Sequence, residues 1–306
     1  MIEFSTRPSS EGANIRAWIG FKHFEYAVAD AVSSLLSDAG FGQRDLARSG
    51  VRAQVCGSRA VLTHVIECGD ELTVTVSDCR RIDDDRLALD VQIMNVTAGQ
   101  QSLKGTYLVR VKDFEEEGLE GGVSTEEVLG GFPRGELRRS ATPRRGTFVS
   151  EEGVGLLAAA FSTDWTVPYY YCESSRYLSY RGHVRALESI VDDYLAAVGL
   201  FIPTVLSSRA WIPVVSRYSI DVCSDVDMGS TVRTHFTVDD VLADVAFDAS
   251  WATTTLGSDG TRRVVASGVI QHGYAYSRGE RAGSVVRMDP ETMAHLKREV
   301  VDAVAH

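Results

Sequence analysis

The side chains best equipped for chemistry gather around one helix-like run in the second half of the sequence. Arg181-Gly182-His183-Val184 leads into it, Glu188 follows, and Gly199 closes it. Val184 (i−4), Val191 (i+3) and Leu195 (i+7) share a helical face with Glu188, which therefore falls within an apolar stripe. A carboxyl group drawn partly out of water titrates nearer neutrality, which suits proton transfer. The ordinary alternative is pairing with Arg185 at i−3 or a side chain reaching to solvent. His183 is placed to orient a substrate or a water molecule, or simply to close the helix start. A matching segment, Gly20-Phe-Lys-His23-Phe, stands 160 residues earlier. Aligned on the two histidines, Glu188 falls where the first half has Val28, so the first half lacks the glutamate. Glu25 and Asp30 lie off or beside that stripe and are expected to be solvated.

The elements that would carry these residues repeat. Phe24, Ala27, Val28, Ala31, Val32, Leu35 and Leu36 follow helical spacing and end at Gly40, and Val184, Leu187, Val191, Tyr194, Leu195 and Val198 do the same before Gly199. Gly69 and Gly229 are again 160 apart, whereas Gly40 and Gly199 are 159 apart, so each half carries a small indel. Period-two runs follow each helix: 71–77, 87–93 and 107–111 in the first half, 218–222, 231–238 and 263–270 in the second. Between the halves, 115–122 is acidic and glycine-rich and 138–145 is basic. The expected organisation is one domain over 1–113, a connector with one or two short helices over 114–165, and a second domain over 166–306. The second ends in a helix capped by Asp289 with Pro290 in its first turn.

The totals narrow the function classes. With 306 residues and 44% hydrophobic side chains, the chain can build two cores. A formal charge of −11 argues against a nucleic-acid partner. No run of eighteen apolar residues suggests a membrane span, and the start reads unlike a signal peptide. Five scattered cysteines without a C-x-x-C pair suit a reduced, cytoplasmic setting. A serine-hydrolase elbow, a dinucleotide fingerprint, a P-loop and a zinc-type histidine pair are all missing, so neither metal nor cofactor is expected.

One helix and a long antiparallel sheet, duplicated at this spacing, resemble the α+β tandem or double hotdog, each half a long central helix wrapped by its sheet. Tyr180-Arg-Gly-His-Val-Arg-Ala-Leu-Glu188 is similar to the G-H-V segment of that superfamily, which includes 4-hydroxybenzoyl-CoA thioesterases and acyl-ACP thioesterases. Gly69-Asp70 resembles the turn leading into its next strand. Members commonly carry an aspartate shortly before the histidine; here Tyr177, Leu178, Ser179 and Tyr180 stand there instead.

The resemblance implies a hydrolase of acyl-CoA or acyl-carrier-protein thioesters, in polyketide- or fatty-acid-type metabolism, able to assemble as a homodimer. Glu188 would be base or nucleophile, His183 would assist, and the helix start would stabilise the oxyanion, Gly182 allowing close approach. Ser179, Tyr180, Arg181, Gly182 and Val184 would bind substrate, with His23 in the first half and that half lining the acyl pocket. Acyl transfer, dehydration or cyclisation of a carrier-bound chain, or acyl binding without catalysis, remain open on the same fold. Tyr169-Tyr-Tyr171 reads either as strand and core or as the wall of an aromatic pocket. Arg176 and Arg181, or the run Arg138, Arg139, Arg144 and Arg145, are candidate phosphate contacts; ordinary solvated arginines are the alternative.

Overall fold

A computed structural model describes residues 2–15, 17–113, 122–131, 161–257 and 260–298. The chain divides into two compact units, residues 1–144 and 145–306.

The first unit opens with strand β1 (Ile2–Thr6) and a small ribbon of β2 (Ala13–Ile15) and β3 (Trp18–Ile19). Helices α1 (Phe21–Asp38) and α2 (Gln43–Arg48) follow, then strands β4 (Val51–Leu62), β5 (Leu72–Arg81), β6 (Arg86–Asn95) and β7 (Gln100–Asp113). The strands pair antiparallel in the order β1-β5-β6-β7-β4. Every residue of the predicted α1 stripe is buried, against β1, β4 and β5. Each fully buried Val or Leu there contributes roughly 1.5–3 kcal/mol. Helix α3 (Thr125–Gly131) belongs to this unit, held by a two-pronged Arg81–Glu126 pair.

The second unit repeats the order. Strand β8 (Phe161–Thr166) and a 3-10 turn at Tyr169–Tyr171 precede helices α4 (Tyr180–Ala197) and α5 (Ile202–Arg209). Strands β9 (Trp211–Val222), β10 (Thr231–Leu242), β11 (Ala246–Leu256) and β12 (Arg262–Tyr276) follow, then helix α6 (Pro290–Leu296). The sheet order is β8-β10-β11-β12-β9, again antiparallel. The predicted α4 stripe, Val184 to Val198, is buried throughout. Asp289 caps α6 as expected, its Oδ1 accepting the Thr292 amide at 2.7 Å.

Matching irregularities show how close the repeat is. An extra residue bulges β4 at Cys56 and β9 at Ser216, 160 apart, and another bulges β7 at Ser102 and β12 at Val265. Gly40, Gly69, Gly199 and Gly229 all have φ between 79° and 89°, the left-handed conformation that made them readable as punctuation.

One expectation changes. Strand β8 begins at Phe161, inside the segment whose composition suggested a connector, because Phe161 and Ser162 pair with Phe236 and His235 of β10. The basic run 138–145 lies outside the described residues. All five cysteines are free thiols, and no single helix among the described residues is long and apolar enough to cross a membrane.

Candidate functional site

Helix α4 begins where Ser179 leaves the extended conformation, at φ −76° and ψ 164°. Its Oγ accepts the Gly182 amide at 3.0 Å, its carbonyl accepts the His183 amide at 3.0 Å, and its own amide donates to Tyr171 O at 2.9 Å. Of the amides at the helix start, that of Gly182 is thus occupied by the cap. Gly182 is also packed closely against the chain itself. A Cβ there would stand 2.5 Å from Leu178 Cδ1 and 2.6 Å from Tyr171 O, so this glycine makes room for the chain's own turn.

Much of the predicted site is core. Ser179, Tyr180, His183 and Val184 are buried. Neither ring nitrogen of His183 finds a hydrogen-bond partner among the described residues. Burial pushes its pKa down to about 4, opposed only slightly by Asp225, so the ring is neutral near pH 7. Arg181 is half-buried, 3.7 Å from Glu173. Arg176 pairs with Asp227 at 2.5 Å and lies over the Tyr177 ring. His23, half-buried, sits 5.0 Å from the Tyr26 ring and covers Gly12.

The two helices begin at residues 21 and 180, 159 apart, and each runs 18 residues. At that offset their buried positions coincide except at His23, which meets Gly182. The two histidines are therefore not equivalent. One residue of displacement turns a side chain by about 100° around the helix, and His183 points inward where His23 does not. Glu188, half-buried, corresponds to the half-buried Ala29 rather than to Val28.

A carboxylate does occupy a core position, in the first unit. Glu25 is fully buried, contrary to the solvated position expected, and corresponds to the equally buried Val184. Tyr107 Oη donates to Glu25 Oε1 at 2.6 Å. Tyr107 pairs across the sheet with Ser58 and Leu89, and Ile270 with Tyr218 and Ala249, so Ile270 is its counterpart. A Val184 and Ile270 combination in one unit is a hydrogen-bonded Glu25–Tyr107 pair in the other. Pattern reading treats a charged residue beside a stripe as solvated, and the partner that keeps this one buried lies 82 residues away.

Beside α4 a cleft of about 220 Å³ opens toward β8. Thr163 and Trp165 from β8, Tyr170 and Tyr171 from the 3-10 turn, and Ile190 and Asp193 from α4 line it. The tyrosine triplet is thus a turn rather than a strand, and it does wall a pocket. No group of three His, Cys, Asp or Glu side chains among the described residues is arranged to hold a metal.

No protein-family model and no curated protein sequence matches the chain. Its structure is similar to a protein assigned as an oleoyl thioesterase from Lactobacillus plantarum (TM-score 0.66, 12% identity, covering 89% of this chain and 94% of that one). It is also similar to a 12:0-ACP thioesterase from Umbellularia californica (0.62, 11%, 89% and 94%). An acyl-ACP thioesterase from Bacteroides thetaiotaomicron matches at 0.56 with 12% identity, over 88% of this chain and 96% of that one. The chain has the α+β fold of hotdog thioesterases.

Proposed function

We propose that this chain is a double hotdog that hydrolyses an acyl thioester of CoA or of an acyl carrier protein. The observation that carries this reading is the likeness to acyl thioesterases along 89% of the chain, through both units. The first hotdog would occupy 1–113 and the second 166–306, with β8 added to its front and a connector between. A cytoplasmic setting, acyl chains of fatty-acid or polyketide type, and a homodimeric assembly belong to the same proposal.

In this reading Glu188 is the general base. It is half-buried one turn beyond His183, within reach of water. Water loses a proton to the carboxylate as its oxygen attacks the thioester carbon. The C–S bond then breaks, the thiol leaves with a proton, and the free acid is released. The positive end of α4 favours charge on the carbonyl oxygen. Glu25, with no exposed surface, takes no part in proton transfer to water and anchors α1 to β7. The test is turnover on a panel of acyl-CoA and acyl-carrier-protein thioesters, wild type against Glu188→Gln. Free acid released by the wild type and lost in the variant supports the assignment. Equal turnover removes Glu188 from it.

One observation favours a second reading. The Ser179 cap on the Gly182 amide removes a donor that an oxyanion would need, which suits a subunit that binds acyl chains without cleaving them. That reading expects calorimetric binding of acyl-CoA and no free acid from any thioester.

A further inference from the structure

The cleft beside α4 is built from groups that share one preference. Trp165 and Tyr171 meet with centroids 6.2 Å apart and planes at 61°, and Tyr170 and Tyr171 at 5.1 Å and 89°. Rings at such angles meet edge to face and form the walls of a corner rather than a stack. The Trp165 indole is fixed, its Nε1–H donating to Thr234 Oγ1 at 2.9 Å, and that hydroxyl is 3.0 Å from Thr253 Oγ1. One of these rings already carries a cation: the Arg185 guanidinium lies 5.4 Å from the Tyr171 centroid.

The polar groups point the same way. Asp193 lines the cleft, and Asp192 is its neighbour in sequence. Among the described residues neither makes a hydrogen bond or an ion pair. Partial desolvation raises the pKa of both carboxyls, and at Asp193 the charge of Asp192 adds to it. A bound cation would relieve that strain. Thr163 also lines the cleft, its Oγ1 buried and without a hydrogen-bond partner among the described residues. At the cleft's mouth Tyr170 remains 59% exposed, and its neighbour Tyr169 is 76% exposed, a large aromatic surface for a protein to leave uncovered. At about 220 Å³ the space takes a body smaller than a drug-sized ligand.

We propose that this cleft binds a small primary ammonium ion. Its charge would lie among Trp165, Tyr170 and Tyr171 beside the Asp193 carboxylate, with its apolar body against Ile190. Cation–π attraction and one carboxylate suffice for such recognition. The site is independent of the thioesterase reading, since it uses neither Glu188 nor His183.

The experiment is isothermal titration of the full chain with phenethylammonium, with 2-phenylethanol as its uncharged analogue and phenylacetate as an anion of similar body. The ammonium is expected to bind, the alcohol at least tenfold more weakly, and the carboxylate not at all. Asp193→Asn should weaken the ammonium at least tenfold and leave the alcohol unaffected. Asp193 is exposed, so the variant folds, as circular dichroism would verify. Trp165→Leu should weaken both ligands. Failure of the ammonium to bind, equal binding of ammonium and alcohol, or an unchanged Asp193→Asn affinity would each overturn the proposal.

Discussion

Helix α1 starts on Gly20, which has no side chain to offer its first turn, and it carries a glutamate where the apolar core should continue. Helix α4 starts on Ser179, whose hydroxyl closes the turn, and it keeps a valine at that core position. Length, burial and the surrounding sheet order are otherwise shared. The two copies differ in where each has accepted polarity: the first inside its core, between Glu25 and Tyr107, the second at its helix start and on the flank where Glu188 stands. In the first unit a buried carboxyl is held where the opposite layer supplies a donor, whereas in the second Glu188 stands half-exposed.

The largest separation between the two helices is expected in turnover. Glu188→Gln should lower thioester hydrolysis by roughly 10²- to 10⁴-fold, the range of a lost general base, while Glu25→Gln lowers it less than tenfold. Steady-state rates on one good substrate decide this, and the reverse ranking would move the chemistry to the first unit.

Stability separates them next. Glu25→Val leaves the Tyr107 hydroxyl without this partner inside the core, at a cost of about 1–3 kcal/mol. Adding Tyr107→Ile reproduces the pair found in the second unit, and replacing both partners of a buried polar pair by apolar groups is often neutral. Urea unfolding of the single and double variants should show the double recovering most of the loss. A double variant worse than the sum of its parts would mean that the two cores are not interchangeable.

Acid sensitivity should belong to the second unit. His183 and His272 are both buried neutral, each with its pKa pushed down to about 4. In the unfolded chain they take up protons near pH 6.5, so between pH 6.5 and 4 the unfolded state binds more protons and stability falls as pH falls. Each histidine accounts for up to about 3 kcal/mol over that window. His183→Leu should flatten the dependence of the melting temperature on pH in that window. An unchanged slope would show that His183 is already protonated in the fold. The smallest effect is at the cap: Ser179→Ala should cost about 1 kcal/mol and Ser179→Gly a few tenths, read by thermal unfolding.

Much of this architecture is legible because punctuation and periodicity are local. The four left-handed glycines and both helical stripes can be read directly. Histidines attract the eye, however, and aligning on His23 and His183 misplaces the helices by one residue, enough to set Glu188 in a core position it does not hold. The buried stripes, matched to each other, recover the 159-residue offset. Strand β4 is hard to read because the alternation of Val51 to Val55 breaks at the Cys56 bulge and Gly57, and the front of β9 because of Pro213. Strand β8 was hidden by its neighbours' composition, since Phe161-Ser-Thr-Asp-Trp-Thr166 is half polar and short. Glu25 could not be recognised at all, because what holds it buried is a phenol from another layer.

The bulges at Cys56 and Ser216 preserve the 160-residue spacing, whereas Ser102 and Val265, beyond the next hairpin, are 163 apart. The β11–β12 connection is three residues longer than its β6–β7 counterpart, and the pairing of β11 with β12 keeps the matching register. The added length lies in the connection between paired strands, although the β10 bulge at Asp239 stands 162 residues, not 160, from the β5 bulge at Ser77. Reporter peptides or affinity tags spliced between Leu256 and Arg262 should therefore be carried as a silent passenger.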